Sequence, residues 1–146
     1  MKLNFWKNLE SKLKMMDKFN TKSLLIYVAG PYSGANRDEI KRNVDNAIDV
    51  GIKIFLKGHF PYIPHLTDLV DYRAKEIGVN LTWNDFIRWD IPWLKMCNAL
   101  LYLGKSNGAD LELENAKSLG KQIFYSVDEI PPRSCFHGLR IKQKKE

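Results

Sequence analysis

The stretch ALLYLGKSNGADLELENA, residues 99–116, carries three acids at a strand–loop–helix junction: Asp110, Glu112 and Glu114. Asp110, at the start of the helix, suits the positive end of the helix dipole. Glu114 reads as solvent-facing. Glu112 lies on the face with Asn115, away from the apolar stripe Ala109, Leu113 and Ala116. Close to a helix N-terminus, its carboxylate is expected to stay ionised. An ionised carboxylate in a ligand-binding mouth can attack an anomeric carbon. The plainer alternative is helix-start decoration.

Asp90 interrupts an apolar stripe, Trp83, Ile87, Asp90 and Leu94. Burial there disfavours the charged form and raises its pKa, which makes Asp90 a candidate general acid. The alternative is that Asp90 caps a helix restarting near Pro92, which is expected to break the segment near Ile91. One ionised and one protonated carboxylate form the pair that cleaves glycosidic bonds.

Two loops offer backbone N–H groups ahead of helices, an arrangement that binds anions. One follows Gly30 and contains Ser33, Gly34 and Arg37; the other contains Ser106, Asn107 and Gly108. Neither is a Walker or GxGxxG motif, and each alone is also compatible with an ordinary turn. The segment HFPYIPHLTD adds Tyr62, His65 and Asp68. An aromatic ring beside His and Asp suits a nucleobase; a structural role for His65 is the alternative. Cys97 and Cys135, with His59, His65 and His137, show no zinc spacing, so no metal or other cofactor is expected and the thiols read as reduced.

Positioning these residues requires alternating strands and helices. SLLIYVAG, HFPYIP, ALLYLG and QIFYS read as strands, the second short or at an edge because of Pro61 and Pro64. The helix after Asn36 carries Ile40, Val44, Ala47, Ile48, Gly51 and Phe55 on its apolar face and ends at Gly58. Further helices are expected from Leu66 to near Gly78, from about Trp83, and from Asp110 to Leu119. The pattern implies an α/β fold, a flavodoxin-like or Rossmann-like three-layer sandwich with a mostly parallel sheet of about four to five strands. Ligands bind such folds beyond the carboxyl ends of the strands. That gathers the loops Pro31–Arg37, Tyr62–Asp68 and Gly104–Asp110 at one edge.

The chain has 146 residues, one domain's worth, with 45% hydrophobic and 27% charged residues. Its net charge of +6 is concentrated at the ends. Residues 1–22 read as a basic amphipathic helix (Phe5, Leu9, Leu13, Met16), 23–130 as the α/β domain and 131–146 as a basic tail. No apolar run spans a membrane and no signal peptide is evident, which points to the cytoplasm. Contact of the basic ends with nucleic acid or membrane ranks behind solvation, packing or oligomerisation.

The order and spacing of YVAGPYSG, FPYIPHLTD, WDIPWLKMCNALLYL and SNGADLELENAKSLGKQIF, over about Leu24 to Val127, resemble the nucleoside 2-deoxyribosyltransferase superfamily. The similarity is nearest to a small domain-of-unknown-function branch and to 2'-deoxynucleoside 5'-monophosphate N-glycosidases. The resemblance implies that Glu112 attacks C1' of the sugar, Asp90 assists departure of the base and Tyr27 positions the glutamate. Ser106 and Gly108 match the family's phosphate loop, and the loop of Ser33 and Arg37 matches more loosely. With Gly30, Gly34, His65, Asp68 and Asn107 these make up the expected substrate-binding set. The resemblance also implies a homo-oligomer acting on a small nucleoside or nucleotide, by hydrolysis or by transfer to another base. The competing expectation is a non-catalytic nucleotide or nucleotide-sugar sensor using the same loops.

Overall fold

The apolar run after Ser23 forms β1 (Leu25–Ala29), with Ile26 to Ala29 wholly buried, as a strand covered on both faces requires. The computed structural model describes residues 7–8 and 23–133. Apart from residues 7–8, the expected N-terminal helix lies outside the described residues, as does the tail beyond Arg133, with Cys135 and His137. In order after β1 come α1 (Arg37–Leu56), β2 (Phe60–Tyr62), a 3-10 turn (Pro64–Leu66), α2 (Thr67–Glu76) and α3 (Trp83–Met96). β3 (Ala99–Tyr102), α4 (Asn107–Ser118), β4 (Gln122–Phe124) and a final 3-10 turn (Val127–Glu129) complete it.

The four strands pair in parallel in the order β2-β1-β3-β4. Helices cover both faces, giving the three-layer flavodoxin- or Rossmann-like α/β architecture. On one face Ile26, Val28, Ala99 and Leu101 pack against Ala47, Val50 and Ile54 of α1. On the other, Tyr27, Ala29 and Leu100 pack against Leu94 of α3 and Ala109 and Ala116 of α4. Each fully buried aliphatic side chain contributes roughly 1.5–3 kcal/mol. Gly51 lets α1 approach the chain after β2: a Cβ there would collide with Ile63. The order reverses between β1 and β3, so the chains leaving their carboxyl ends diverge and open a crevice.

Three expectations need correction. Pro92 does not break α3, which runs unbroken from Trp83 to Met96. It is exposed, so the Arg88 carbonyl deprived of its partner can reach water. Asp90 is therefore a helix-interior residue and caps nothing. The inner face of α1 is rotated from the expected stripe: Val50 and Ile54 are buried, whereas Phe55 is exposed and lies beside Phe60 of the edge strand. α4 begins at Asn107, earlier than Asp110, because Ser106 accepts a hydrogen bond from the Ala109 N–H and caps it.

Candidate functional site

β1 and β2 pair with Tyr27 opposite Tyr62. Adjacent partners in a sheet present their side chains on one face, and the two rings lie 5.4 Å apart. Each hydroxyl reaches an acid on a helix covering that face. Tyr27 Oη donates to Glu112 Oε1 of α4 at 2.6 Å. Tyr62 Oη donates to Asp90 Oδ1 of α3 at 3.1 Å. Trp93, one turn beyond Asp90, stacks on Tyr62 with centroids 5.4 Å apart and planes 15° apart. Tyr27, Asp90 and Glu112 line a common crevice with Leu94 and Asn115.

Burial governs the electrostatics. Glu112 is pushed up to about 8, first by desolvation, with the nearby Asp90 charge adding to it and the Tyr27 hydrogen bond opposing it. Desolvation raises Asp90 to about 6, and the Tyr62 hydrogen bond restrains it. Tyr27 is raised by burial and by both acids, so it remains a donor. The expectation that Glu112 stays freely ionised is thus corrected: burial raises both acids, and they titrate as a pair. The inward turn of Glu112 removes it from water, and that outweighs the favourable end of its helix.

Both acids open onto a cavity of about 600 Å³ at the carboxyl ends of β1 and β3. Gly30, Ser33, His65, Ser106, Asn107 and Gly108 of the expected set line it. At the start of α4, helix geometry leaves the N–H groups of Asn107 and Gly108 without intrahelical acceptors. A Cβ on Gly108 would meet only Trp83 Nε1, at 3.9 Å. His65 is buried with Nε2 3.0 Å from the Pro31 carbonyl, and burial lowers its pKa. A neutral His65 therefore ties the β1 loop to the turn after β2.

Gly34, Arg37 and Asp68 are not brought to the cavity wall. Arg37 grips Asp68 through two hydrogen bonds of 2.7 and 2.6 Å, and Tyr32 donates to the same carboxylate at 2.8 Å. These donors hold Asp68 below its ordinary range. Asp110 accepts from Tyr102 at 2.6 Å, and the exposed Glu114 pairs with Lys117. Sequence reasoning missed Tyr62 as the partner of Asp90. It also missed a cavity wall of Thr67, Asp71 and Lys75 from α2 with Trp83, Phe86 and Ile87 from α3. The spacings 67/71/75 and 83/86/87/90 signal one face on each helix; that those faces oppose each other is a tertiary fact.

No curated protein matches the chain. Its sequence does match one family model over residues 24–126, the span that contains both acids, both tyrosines and every strand. The chain belongs to that family, described as a domain of unknown function (DUF7768).

Proposed function

We propose that the protein cleaves the N-glycosidic bond of a 2'-deoxynucleoside or its 5'-monophosphate through a glutamyl glycosyl-enzyme. The observation that carries this reading is the pair of carboxyls, Asp90 buried and Glu112 half-buried, each held by its own tyrosine at the edge of a ligand-sized cavity. Double-displacement glycosidases keep their carboxyls about 5–5.5 Å apart. One carboxyl as nucleophile and one as acid and base is the pair that such a reaction requires.

Glu112 attacks C1' as the C1'–N bond breaks, and the bonding pair leaves with the base. Asp90 gives its proton to that base. Water then attacks C1' of the ester, Asp90 takes up the water's proton, and Glu112 departs as carboxylate. A free base in place of water gives transfer. Between about pH 6 and 8 the pair holds one proton. The reactive form has it on Asp90, and moving it between the two acids leaves the net charge unchanged. Activity is therefore expected to follow a bell with limbs near pH 6 and 8. The apolar wall of Trp83, Phe86 and Ile87 suits an aromatic leaving group, and the open start of α4 suits an anion.

We also infer a cytoplasmic homo-oligomer. No described helix is long and apolar enough to cross a membrane. Trp89, Trp93 and Met96 expose an apolar stripe on α3 for a second copy.

Chromatography of a panel of deoxynucleosides and their monophosphates, with and without free base, tests the chemistry. Wild type is expected to release base, and Glu112→Ala to lose at least roughly a thousandfold in rate. Ligand-induced stabilisation with every substrate left intact would overturn the enzyme reading in favour of a sensor.

A further inference from the structure

We propose that Tyr62 is the positioning residue for Asp90. Held in register beside Tyr27 and stacked against Trp93, its hydroxyl fixes the carboxyl that serves the leaving group. Three independent contacts define where the Tyr62 hydroxyl sits. The Tyr27↔Tyr62 ladder sets its height along the sheet. The Tyr27 and Trp93 rings each hold the Tyr62 ring, with centroids 5.4 Å from its own. Asp90 and Trp93 lie three residues apart on α3, so one helix face both clamps the phenol ring and meets its hydroxyl.

Apolar burial alone would make Asp90 a neutral carboxyl free to rotate about its last torsion, which has broad wells. The 3.1 Å hydrogen bond to Oδ1 selects one orientation. With Oδ1 engaged, Oδ2 is the oxygen left to carry and deliver a proton. Tyr27 performs the same service for Glu112, so neighbouring strands each support one acid. β2 has only three residues and sits at the sheet edge. The Trp93 stack thus adds a contact that steadies a side chain on this short edge strand. The titratable groups around Asp90 are Tyr62 from β2, Tyr27 from β1 and Glu112 from α4, with His65 and, from α2, Asp71 and Lys75 lining the same cavity.

The catalytic meaning of this role rests on the glycosyl-transfer reading; the test of positioning does not. Carbon-13 NMR of side-chain carboxyls follows titration of Asp90, with its signal identified by Asp90→Asn. Tyr62→Phe keeps the stack and removes the hydroxyl, and the Asp90 midpoint is expected to rise by roughly half a pH unit or more. Trp93→Leu keeps the hydroxyl but frees the ring, and a smaller rise is expected. A side chain that merely filled space would admit water when altered and lower the midpoint toward an ordinary carboxyl. A fall or no change in both variants overturns the proposal. On any substrate that wild type turns over, Tyr62→Phe should lower kcat about tenfold with KM nearly unchanged. Failure to turn over any substrate sinks the proposed function and leaves the titration to decide the role of Tyr62.

Discussion

The chain makes the same move twice, from a buried parallel strand through a small-residue loop into a helix, and the two junctions end in opposite states. After β1, Gly30 and Ser33 line the cavity, but the run from the loop into the helix is closed upon itself. Asn36 Oδ1 accepts from the Glu39 N–H at 2.9 Å, and Glu39 Oε2 accepts from the Ala35 N–H at 2.7 Å. Asn43 binds the Tyr32 and Ser33 carbonyls, and Arg37 is neutralised by Asp68. After β3, Ser106 caps the Ala109 N–H, while Asn107 and Gly108 line the cavity. Glu39 turns back to satisfy its own loop. Glu112, in the second turn of α4, turns inward to Tyr27 and Asp90. A helix-start acid with a loop N–H in reach is a structural cap; Glu112 has instead a tyrosine and a second acid as neighbours, the environment that perturbs a carboxyl.

The largest effect that sharpens this contrast is on stability. Folding raises Glu112 from the ordinary 4.5 to about 8. Between those values the unfolded chain releases the proton and the folded chain keeps it, so stability is intact at low pH and falls as pH rises through the window. Glu112→Gln keeps an acceptor for Tyr27 and removes this penalty. It should stabilise the protein by roughly 2–4 kcal/mol at pH 8 and by almost nothing at pH 4, read from urea midpoints. An equal gain at both pH values would show that Glu112 is not held neutral.

Next come the two glycines. A Cβ on Gly34 would lie 2.7 Å from Glu39 Cβ, so Gly34→Ala must displace the cap and should cost about 1–3 kcal/mol. Gly108→Ala meets only Trp83 Nε1 at 3.9 Å and should stay within about 1 kcal/mol of wild type, with Ala favoured in a helix. Its effect should instead appear as weaker ligand binding by calorimetry. Equal destabilisation of the two variants would erase the distinction between closed and open junctions. The smallest effect is that of Glu39→Ala, which frees one loop N–H and should lower the thermal midpoint through a loss of about 1 kcal/mol, with turnover retained.

Much of this was legible in local chemistry. The continuous apolar runs announced doubly covered strands, and Pro61 announced a short edge strand, because both follow from side-chain type and backbone donors alone. Asp90 stood out because helical spacing set it among apolar neighbours. The Arg37–Asp68 pair was not legible: the two residues lie 31 positions apart, and each alone resembles a ligand contact. The continuity of α3 through Pro92 was also hidden, since it depends on which side of that helix meets solvent.

By itself, then, the sequence determined the α/β class, the strand and helix set and the two carboxyls worth following, because periodicity and residue polarity act over a few neighbouring positions. Only the tertiary structure decided that both acids are reluctant to ionise and which tyrosine holds each. It also decided which of the two helix starts faces the cavity. Desolvation and hydrogen bonding depend on what packs across the sheet, and the Tyr27–Tyr62 register brings that together from distant parts of the chain.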